Sequence, residues 1–539
     1  SRDPFDDARS ALMLDRFISQ FDPSRLYFLQ KDIQEFQVYR DKLDDQVPRG
    51  NIESAFVIQR RFTQRMHERS AQVDKILGEK MNLKDTDEPA VLDRRKAAYP
   101  KDDAEAVKLW TRKLTLEMLE SIASGKTEAE SVELLQRRYK SAHLRMDQIT
   151  HNDVISMFLN ALASTYDPHS SYLLPDELEN LNITLSLSLE GIGATLRWED
   201  GYTIISSIVP GGAAAREGTL KAEDKIIAVG QGGEGVLEDV RNQRLSDVVK
   251  LIRGRRGTVV RLAYLRKTDG VREKRLEVAI TRDKILLTDR EAKGTLNERK
   301  RPEREQPYRI GVVELPSFYV DFSKRHTNPD TYKSSFRDVD RILKRFVTQG
   351  VDGVVLDLRD NGGGGLDEAV QLSGLFLERG ATVVRVRDNN GDTQNHDNTS
   401  PPVFRGPLVV LVNRFSASAS EILAGALKDY GRAIIVGDKT TFGKGTVQNI
   451  INLPAGLGGV KTTVAKFYRP GSSSTQNRGV EADIVLPSLN NVLDIGESSL
   501  ENSLPWDALS RVNLKPWGDF APYLPALAER SRQRQLGNA

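Results

Sequence analysis

The sequence of 539 residues contains no cysteine, which excludes disulfide bonds, thiolate catalysis and cysteine-ligated zinc. Long apolar runs are also missing, since stretches such as PLVVLV fall far short of the roughly 18 residues that span a bilayer. An excess of charge is lacking too, with 78 basic against 76 acidic residues, so nothing indicates a nucleic-acid partner. The first residues, SRDPFDDARS, lack the basic and apolar regions of a signal peptide, so either none was made or it has been removed.

Residues 1–165 are predicted to form a helical domain. In AVKLWTRKLTLEMLESIA the apolar residues recur at steps of three and four, which is typical of a helix with one buried face. They are Val107, Trp110, Leu114, Met118 and Ile122. No internal repeat of fixed period is present in the sequence.

Two further segments are predicted to contain β-strands. Residues 180–285 contain short strand-like runs separated by glycine-rich and charged turns, with one amphipathic helix late in the segment, LSDVVKLIRG. Residues 297–307, NERKRPEREQP, are charged and contain proline, which predicts a solvated linker or loop. From residue 286 to 486 continuous apolar strands alternate with helical segments, which indicates an α/β layer with largely parallel strands. The segment 487–539 begins irregularly and ends polar without a closing element, so we expect the natural chain to continue.

Two glycine-containing segments could carry chemistry. In DLRDNGGGGLDEAV, residues 357–370, four glycines between a strand and a helix can present backbone N–H groups to an anion or oxyanion, although a flexible turn is the plainer interpretation. TTFGKGTVQ, residues 440–448, contains Gly-Lys but fails the spacing of a phosphate-binding loop. An ATP-driven enzyme is therefore the least favoured class.

The stretch NRFSASASEI offers three serines in alternation, Ser416, Ser418 and Ser420. A serine hydroxyl reacts only when a base accepts its proton, and the usual base is histidine. None of the six histidines lies between SASAS and FGKG. A lysine made neutral by burial is the other solution, and Lys444, flanked by glycines, is the candidate.

Together these motifs carry a family resemblance. FSASASEILAGALKDYGRAIIVG followed by TFGKGTVQ, preceded by LDLRDNGGG and a GIGA-bearing domain, resembles the carboxyl-terminal processing peptidases. The resemblance extends over nearly the whole chain and is greatest to their large periplasmic branch, the tail-specific proteases, because it includes the helical region and ENSLPWD. It implies a multidomain α+β protein with a helical N-terminal domain, a PDZ-like domain at 180–285 and an α/β serine peptidase core of the crotonase/ClpP-like type, built from 166–179 and 286–486.

The resemblance also assigns roles to single residues. The middle serine of SASAS, Ser418, corresponds to the family's nucleophile, and the lysine of FGKG, Lys444, to its general base. Gln448 corresponds to the position that orients the lysine, and Asp429 to an acidic position implicated in the large branch. The oxyanion hole would consist of the N–H groups of Ala419 and of Gly363 or Gly364.

One feature departs from the family pattern. The interval from Ser418 to Lys444 is 444 − 418 = 26 residues, one more than is usual in the family. Because Asp429 keeps its expected offset from Ser418, we place the additional residue in the loop GDKTTFG. The choice of Ser418 over its two neighbours rests on the motif, and geometry must decide whether Lys444 reaches it.

The domain that contains EGIGATL resembles an inserted PDZ module. Such modules add the C-terminal strand of a ligand to a sheet edge and hold its carboxylate on backbone N–H groups. The carboxylate loop would consist of Gly191, Ile192, Gly193 and Ala194. On the late helix, Val248, Val249 and Ile252 could line the apolar pocket, although core packing is an equal alternative for two of the three.

The resemblance implies a serine endopeptidase that recognises apolar C-terminal tails and needs no metal, nucleotide or other cofactor. It further implies export to a Gram-negative periplasm, including association with the inner membrane, substrates among envelope proteins and cell-wall hydrolases, and a helical-repeat lipoprotein adaptor as a partner. The alternatives are a catalytically silent PDZ scaffold, which leaves the serine, lysine and glycine motifs unexplained, and a crotonase-like acyl-CoA enzyme, which would turn over thioesters.

Overall fold

The structure is a computed structural model that describes residues 3–79, 81–83, 93–268, 272–302, 304–329, 331–454 and 456–537. It divides into two compact units. The first comprises Ser1–Tyr166 and Glu190–Ile285, and the second comprises Asp167–Leu189 and Leu286–Ala539. Within the described ranges, none of the helices combines the length and apolar composition that a membrane span requires.

The first part of unit 1 is helical, which confirms the predicted helical N-terminal domain. Its helices are α1 Asp7–Phe21, α2 Gln30–Phe36, α3 Leu43–Gln46, α4 Glu53–Gly78, α5 Asp103–Ala123, α6 Glu128–Asp147 and α7 His151–Ser164. Polar N-caps set several starts, as where the Asp102 carboxylate accepts the N–H of Glu105 at 2.9 Å. The predicted stripe on α5 is buried at Trp110, Leu114 and Met118, whereas Val107 is 36% exposed.

The remainder of unit 1 is an antiparallel sheet with short helices. Next along the chain, within Asp167–Leu189 of unit 2, come β1 Ser171–Leu173 and α8 Pro175–Ser186. They are followed by β2 Ser188–Gly191, β3 Ala194–Glu199, β4 Tyr202–Ile208, α9 Ala213–Glu217, β5 Lys225–Gln231, β6 Glu238–Asp239, α10 Leu245–Ile252, β7 Val259–Thr268, β8 Arg272–Thr281 and β9 Asp283–Leu286. The strand order is β3-β4-β5-β7-β8, with β6 also paired to β5. Strand β3 is therefore an edge of the sheet, and α10 packs against β3 and β5.

Unit 2 is built on a mostly parallel sheet. Its elements are β10 Lys293–Arg301, β11 Arg304–Glu314, α11 Phe322–Thr327, α12 Ser335–Thr348, β12 Gly353–Asp357, α13 Leu366–Gly374, β13 Thr382–Asp388, β14 Thr393–Asp397, β15 Leu408–Val412, α14 Ala419–Asp429, β16 Ile434–Gly437, β17 Thr446–Asn452, β18 Gly459–Tyr468, β19 Ile484–Val485 and α15 Leu524–Gly537. The order is β10-β11-β12-β15-β16-β19, and pairing is parallel from β11 onward. Helices α12, α13 and α14 contribute apolar side chains to the core beneath it, which confirms the α/β peptidase core.

One strand of this region differs from the prediction. The run GATVVRVRD lies in the region 286–486 that is predicted to form a largely parallel layer, but β13 belongs to a second, antiparallel sheet of order β1-β18-β13-β14, in which β17 also pairs with β18. Arg385 and Arg387 lie in the more exposed second half of this strand, whereas Val383 and Val384 in its first half are buried. Both kinds of strand begin with an apolar run, so the run alone does not distinguish them.

Two further predictions need correction. Residues 297–307 are not a linker, because β10 and β11 form an antiparallel hairpin that pairs Lys293 with Glu314 and Arg301 with Arg304. The backbone ladder holds the hairpin although β10 and the first residues of β11 are mostly exposed; Glu303 lies outside the described residues. The polar tail also contains a closing element, the exposed helix α15.

Candidate active site

The three serines of SASAS have different environments. Ser416 and Ser420 are fully buried. The Ser416 hydroxyl accepts the N–H of Asn413 at 2.9 Å and donates to the carbonyl of Leu358 at 2.8 Å. The Ser420 hydroxyl donates to the carbonyl of Asn361 at 2.8 Å. Both hydroxyls therefore fasten the loop to the end of the neighbouring strand and are not available to react.

Ser418 lies between them at the start of α14 and is half-buried. Its hydroxyl makes no cap hydrogen bond to the helix. Its backbone has φ 55° and ψ −112°, a region that favours glycine and costs another residue on the order of 1–3 kcal/mol. A sharp, strained turn from a strand into a helix is also how other serine hydrolases expose a nucleophile.

The glycine loop after β12 lies directly against Ser418. A Cβ on Gly363 would stand 2.9 Å from the Cβ of Ser418 and 3.1 Å from the backbone nitrogen of Ala419, so only glycine fits there. The N–H of Gly363 donates to the Asn361 side-chain oxygen at 2.9 Å. In the described part of the chain, the N–H groups of Gly364 and Ala419 have no protein acceptor. Of the two predicted glycines, Gly364 is therefore the one with a free donor.

A residue that the sequence analysis did not single out, Glu421, joins the serine to the lysine. Its side chain is fully buried one turn into α14. One carboxylate oxygen, Oε2, accepts the N–H of Ser418 at 2.8 Å and the N–H of Lys444 at 2.9 Å. The other, Oε1, accepts the N–H of Gly443 at 2.6 Å and the hydroxyl of Thr441 at 2.5 Å. Burial raises the pKa of Glu421 to about 7, and these four donors oppose the rise.

The Glu421 carboxylate explains how the serine loop and the lysine loop stay together although the interval between Ser418 and Lys444 is one residue longer. Because both backbone nitrogens donate to the same oxygen atom, the two chain segments are held side by side. The N–H of Phe442 also donates to the carbonyl of Ser416 at 3.0 Å. The lysine loop is thus fastened to the serine loop despite the longer interval.

Lys444 lies between β16 and β17 and is half-buried. Burial lowers the pKa of Lys444 to about 8, and the positive charge of Lys461 lowers it further. The carboxylates of Glu497, Glu421 and Asp167 act in the opposite direction. A lysine with this pKa is partly neutral near physiological pH and can accept a proton.

Gln448 and Asp429 are placed differently from the dyad. The amide nitrogen of Gln448 donates to the hydroxyls of Thr446 at 2.9 Å and Thr463 at 3.2 Å, and no hydrogen bond to Lys444 is found among the described residues. Asp429 ends α14, eleven residues after Ser418 and so about 16 Å along the helix axis. Its carboxylate pairs with Arg469, so the structure does not bring it to the serine.

The predicted carboxylate loop of the PDZ domain connects β2 to β3. Gly193 has φ 78°, and a Cβ there would lie 3.1 Å from the Cα of Gly212. The carbonyls of Ile192 and Gly193 accept N–H groups from Ala214 at 2.7 Å and Val209 at 2.9 Å. The N–H groups of Ile192 and Gly193 have no acceptor among the residues that the structure describes. These two N–H groups are therefore available to bind a carboxylate. The flanking residues Gly191 and Ala194 shape the loop.

The residues on α10 that are predicted to line the pocket differ in exposure. Val248 and Ile252 are 0% and 3% exposed, which agrees with the alternative of core packing for these two. Val249 is half-buried. Apolar residues at steps of three and four do not by themselves distinguish a core face from a groove face.

Comparison with known proteins decides the family. The chain is 38% identical over 524 residues to the tail-specific protease of Haemophilus influenzae, an alignment that covers 96% of this chain and 72% of that protein. The chain belongs to the tail-specific protease family. Family models match along this tail-specific protease: the tail-specific protease N-terminal domain at residues 1–176, a PDZ domain at 181–265, peptidase family S41 at 309–486 and the C-terminal domain of tail-specific protease at 491–539.

More distant relatives of this tail-specific protease share fewer residues. The carboxyl-terminal-processing protease of a Picosynechococcus species is 34% identical over 328 residues, with 60% of this chain and 71% of that protein covered. A solved structure of the photosystem II D1 C-terminal processing protease is 26% identical, covering 70% of this chain and 92% of its own, with a TM-score of 0.36. The chain is thus a serine-type C-terminal processing protease with a PDZ domain.

Proposed function

We propose that the chain is an endopeptidase with a Ser418/Lys444 dyad. The observation that carries the proposal is the single carboxylate oxygen of Glu421 that accepts the N–H groups of both residues. It is supported by the positive φ of Ser418, by the lowered pKa of Lys444, and by the use of the two neighbouring serines in structural hydrogen bonds.

In this mechanism Ser418 Oγ attacks the carbonyl carbon of the scissile peptide bond while neutral Lys444 takes the hydroxyl proton. The oxyanion of the tetrahedral intermediate accepts the N–H groups of Ala419 and Gly364. Lys444 then delivers its proton to the leaving amine, and the C–N bond breaks to give an acyl-enzyme on Ser418. Water, with its proton taken by Lys444, hydrolyses the ester and restores the serine.

Substrate choice is proposed to depend on the PDZ domain. Its edge strand β3 can pair with an extended C-terminal tail, because an edge strand has unpaired backbone groups. The N–H groups of Ile192 and Gly193 would hold the terminal carboxylate, and Val249 would contact an apolar side chain of the tail. The proposed ligand of the PDZ domain is thus the apolar C-terminus of a protein substrate.

We also propose the setting that the family resemblance implies. The enzyme would act in the periplasm of a Gram-negative bacterium, in part at the inner membrane, on envelope proteins and cell-wall hydrolases, with a helical-repeat lipoprotein adaptor. Fractionation of cells that produce the protein from its native gene tests the compartment, and a cytoplasmic location would contradict it.

The dyad and the tail recognition can be tested together. Wild type, Ser418→Ala, Lys444→Ala and the control Lys439→Ala, an exposed lysine near the same loop, are compared on one unfolded protein with either an apolar or an acidic C-terminus. We expect cleavage by wild type and the control only, and faster cleavage of the apolar tail. Cleavage by either dyad variant would contradict the dyad, and equal cleavage of both tails would contradict tail recognition.

A further inference from the structure

The segment that follows the peptidase fold, residues 491–509, runs along the loop that carries Lys444. Glu497 of this segment is fully buried. Its backbone N–H donates to the carbonyl of Phe442 at 2.9 Å, two residues before the lysine. A Cβ on the preceding Gly496 would lie 2.8 Å from that same carbonyl oxygen, so the contact is close. The segment therefore holds the loop on the N-terminal side of Lys444.

The Glu497 carboxylate also holds the other side of the lysine. It accepts the amide N–H of Gln476 at 2.8 Å, and the Gln476 side-chain oxygen accepts the N–H of Gly445 at 2.8 Å. Gly445 directly follows Lys444 in the sequence. Glu497 is thus linked to the backbone on both flanks of the proposed general base, through its own N–H on one side and through its carboxylate and Gln476 on the other. Buried hydrogen-bonded networks of this kind fix the position of the groups that they contact.

A second partner of this carboxylate comes from a distant part of the chain. His169 Nε2 lies 2.8 Å from Glu497 Oε2 and 3.0 Å from Oε1. The histidine is 15% exposed at its side chain, whereas the glutamate is inaccessible. A buried carboxylate needs such partners, because an unpaired charge in the interior is strongly unfavourable.

The same segment secures the loop of residues 472–478 from outside. The Trp506 indole N–H donates to the carbonyl of Ser474 at 2.9 Å, and the N–H of Ser474 donates to the carbonyl of Asp507 at 3.2 Å. From this loop the Thr475 hydroxyl donates to the carbonyl of Lys444 at 2.8 Å. The lysine loop therefore rests on a second loop that the C-terminal segment fastens.

The charged groups that face Lys444 come from four elements. Lys461 belongs to β18, Glu421 to α14, Glu497 to the C-terminal segment, and Asp167 precedes β1. Among the three carboxylates, Glu497 contributes most to stabilising the protonated lysine. Loss of its charge should therefore make the lysine easier to deprotonate.

We propose that the C-terminal segment completes the peptidase centre, with Glu497 as a positioning residue that, through Gln476 and with His169, fixes the loop of the general base. The inference rests on the proposed function of Lys444. It gives a role to a segment that the family comparison identifies only as a C-terminal domain.

The first test compares Glu497→Gln with Glu501→Gln, an exposed glutamate four residues later. Cleavage of the tailed substrate is measured from pH 5 to 10 on the full chain. For Glu497→Gln we expect kcat to fall between about tenfold and a hundredfold with little change in KM, because the base is displaced and the bound tail is not. We also expect the acid limb of kcat/KM to move to lower pH. Glu501→Gln should match wild type.

The second test uses His169, which lies outside the segment. His169→Ala removes the contact to Glu497, whereas His169→Gln keeps an amide N–H that reaches about the position of Nε2. We expect the alanine variant to lose kcat and the glutamine variant to recover most of it. If Glu497→Gln shows no cooperative thermal transition, the His169 pair decides the question by itself.

Two results would overturn the inference. One is a Glu497→Gln enzyme with the kcat and pH profile of Glu501→Gln, and the other is equal damage from alanine and glutamine at His169. These results differ from failure of the proposed dyad, which would appear as cleavage by Ser418→Ala or Lys444→Ala. The dyad can therefore stand while the role of Glu497 falls.

Discussion

Replacing Ser418 by glycine is expected to abolish cleavage and, at the same time, to stabilise the peptidase unit. The reason lies in its backbone, which has φ 55° and ψ −112° and so occupies a region open to glycine but unfavourable for residues with a Cβ. Ser418→Ala is the matched variant, since it removes the hydroxyl and keeps the Cβ. Both variants lack the proposed nucleophile, and they differ in the backbone strain of the folded state and in the conformational freedom of the unfolded chain.

The size of the effect follows from two opposing contributions. Relief of the strained conformation gains on the order of 1–3 kcal/mol of unfolding free energy. Glycine loses about 0.5–1 kcal/mol of this, because the unfolded chain gains conformational freedom. The hydroxyl itself contributes little, since it makes no cap hydrogen bond to the helix. We therefore expect Ser418→Gly to exceed Ser418→Ala by about 1 kcal/mol.

Hydrogen exchange of α14 is the appropriate assay. The helix begins at the residue after the substitution, and its first half is buried, so its amides report the opening of this unit without contributions from the rest of the chain. A difference of about 1 kcal/mol corresponds to roughly fivefold slower exchange in the glycine variant at neutral pH. Urea unfolding of both variants with equal slopes provides the second measurement.

Equal exchange in the two variants, or faster exchange with glycine, would refute the argument. In that case the backbone at Ser418 would not be strained in the free enzyme. The surrounding hydrogen bonds would then not be needed to hold the turn into α14 in its conformation, and the comparison with strained nucleophile turns would fail.

Four further predictions concern other parts of the site. Because burial lowers the pKa of Lys444 to about 8 and the neutral amine is the base, kcat/KM should rise with pH through that value; a rate that is flat from pH 6 to 9 would contradict lysine as the base. Glu421→Gln should lower the unfolding free energy by about 1–3 kcal/mol, since an amide cannot accept all four donors, whereas the exposed control Glu378→Gln should leave the unfolding free energy nearly unchanged. Gly193→Val should raise KM for substrates with apolar tails and leave cleavage of short untailed peptides unchanged; equal effects on the two kinds of substrate would show that the loop does not bind the tail. Asp429→Asn should lower the melting temperature without shifting the pH profile of activity per folded enzyme. A shifted profile would indicate that Asp429 acts on the proposed dyad.

Much of the fold could be predicted from periodicity and apolar runs. The face of α5 that contains Trp110 and Leu114 follows from steps of three and four, and the parallel strands follow from continuous apolar runs. The strand β10 could not be found this way. It is charged and mostly exposed, and its backbone ladder to β11 defines it.

The site divides in the same manner. The loop of Ser418 and the loop of Lys444 each carry a local motif, so both could be found from the sequence. Glu421 left a weak local signal, an acidic residue three positions after a helix-start serine. Glu497 left none, because its contact with His169 joins residues 328 positions apart. Contacts across such distances leave no periodic trace in the sequence.

The discontinuity of unit 2 affects when a working enzyme can arise. Its second sheet joins β1 to β18, and Asp167 receives the hydroxyl of Thr463 across 296 residues. Closing a loop of that length costs about 5 kcal/mol of chain entropy, and the closing contacts exist only after the distant strand has been synthesised. We therefore expect the second sheet to close only after β18, which follows Ser418 in the chain, has been synthesised.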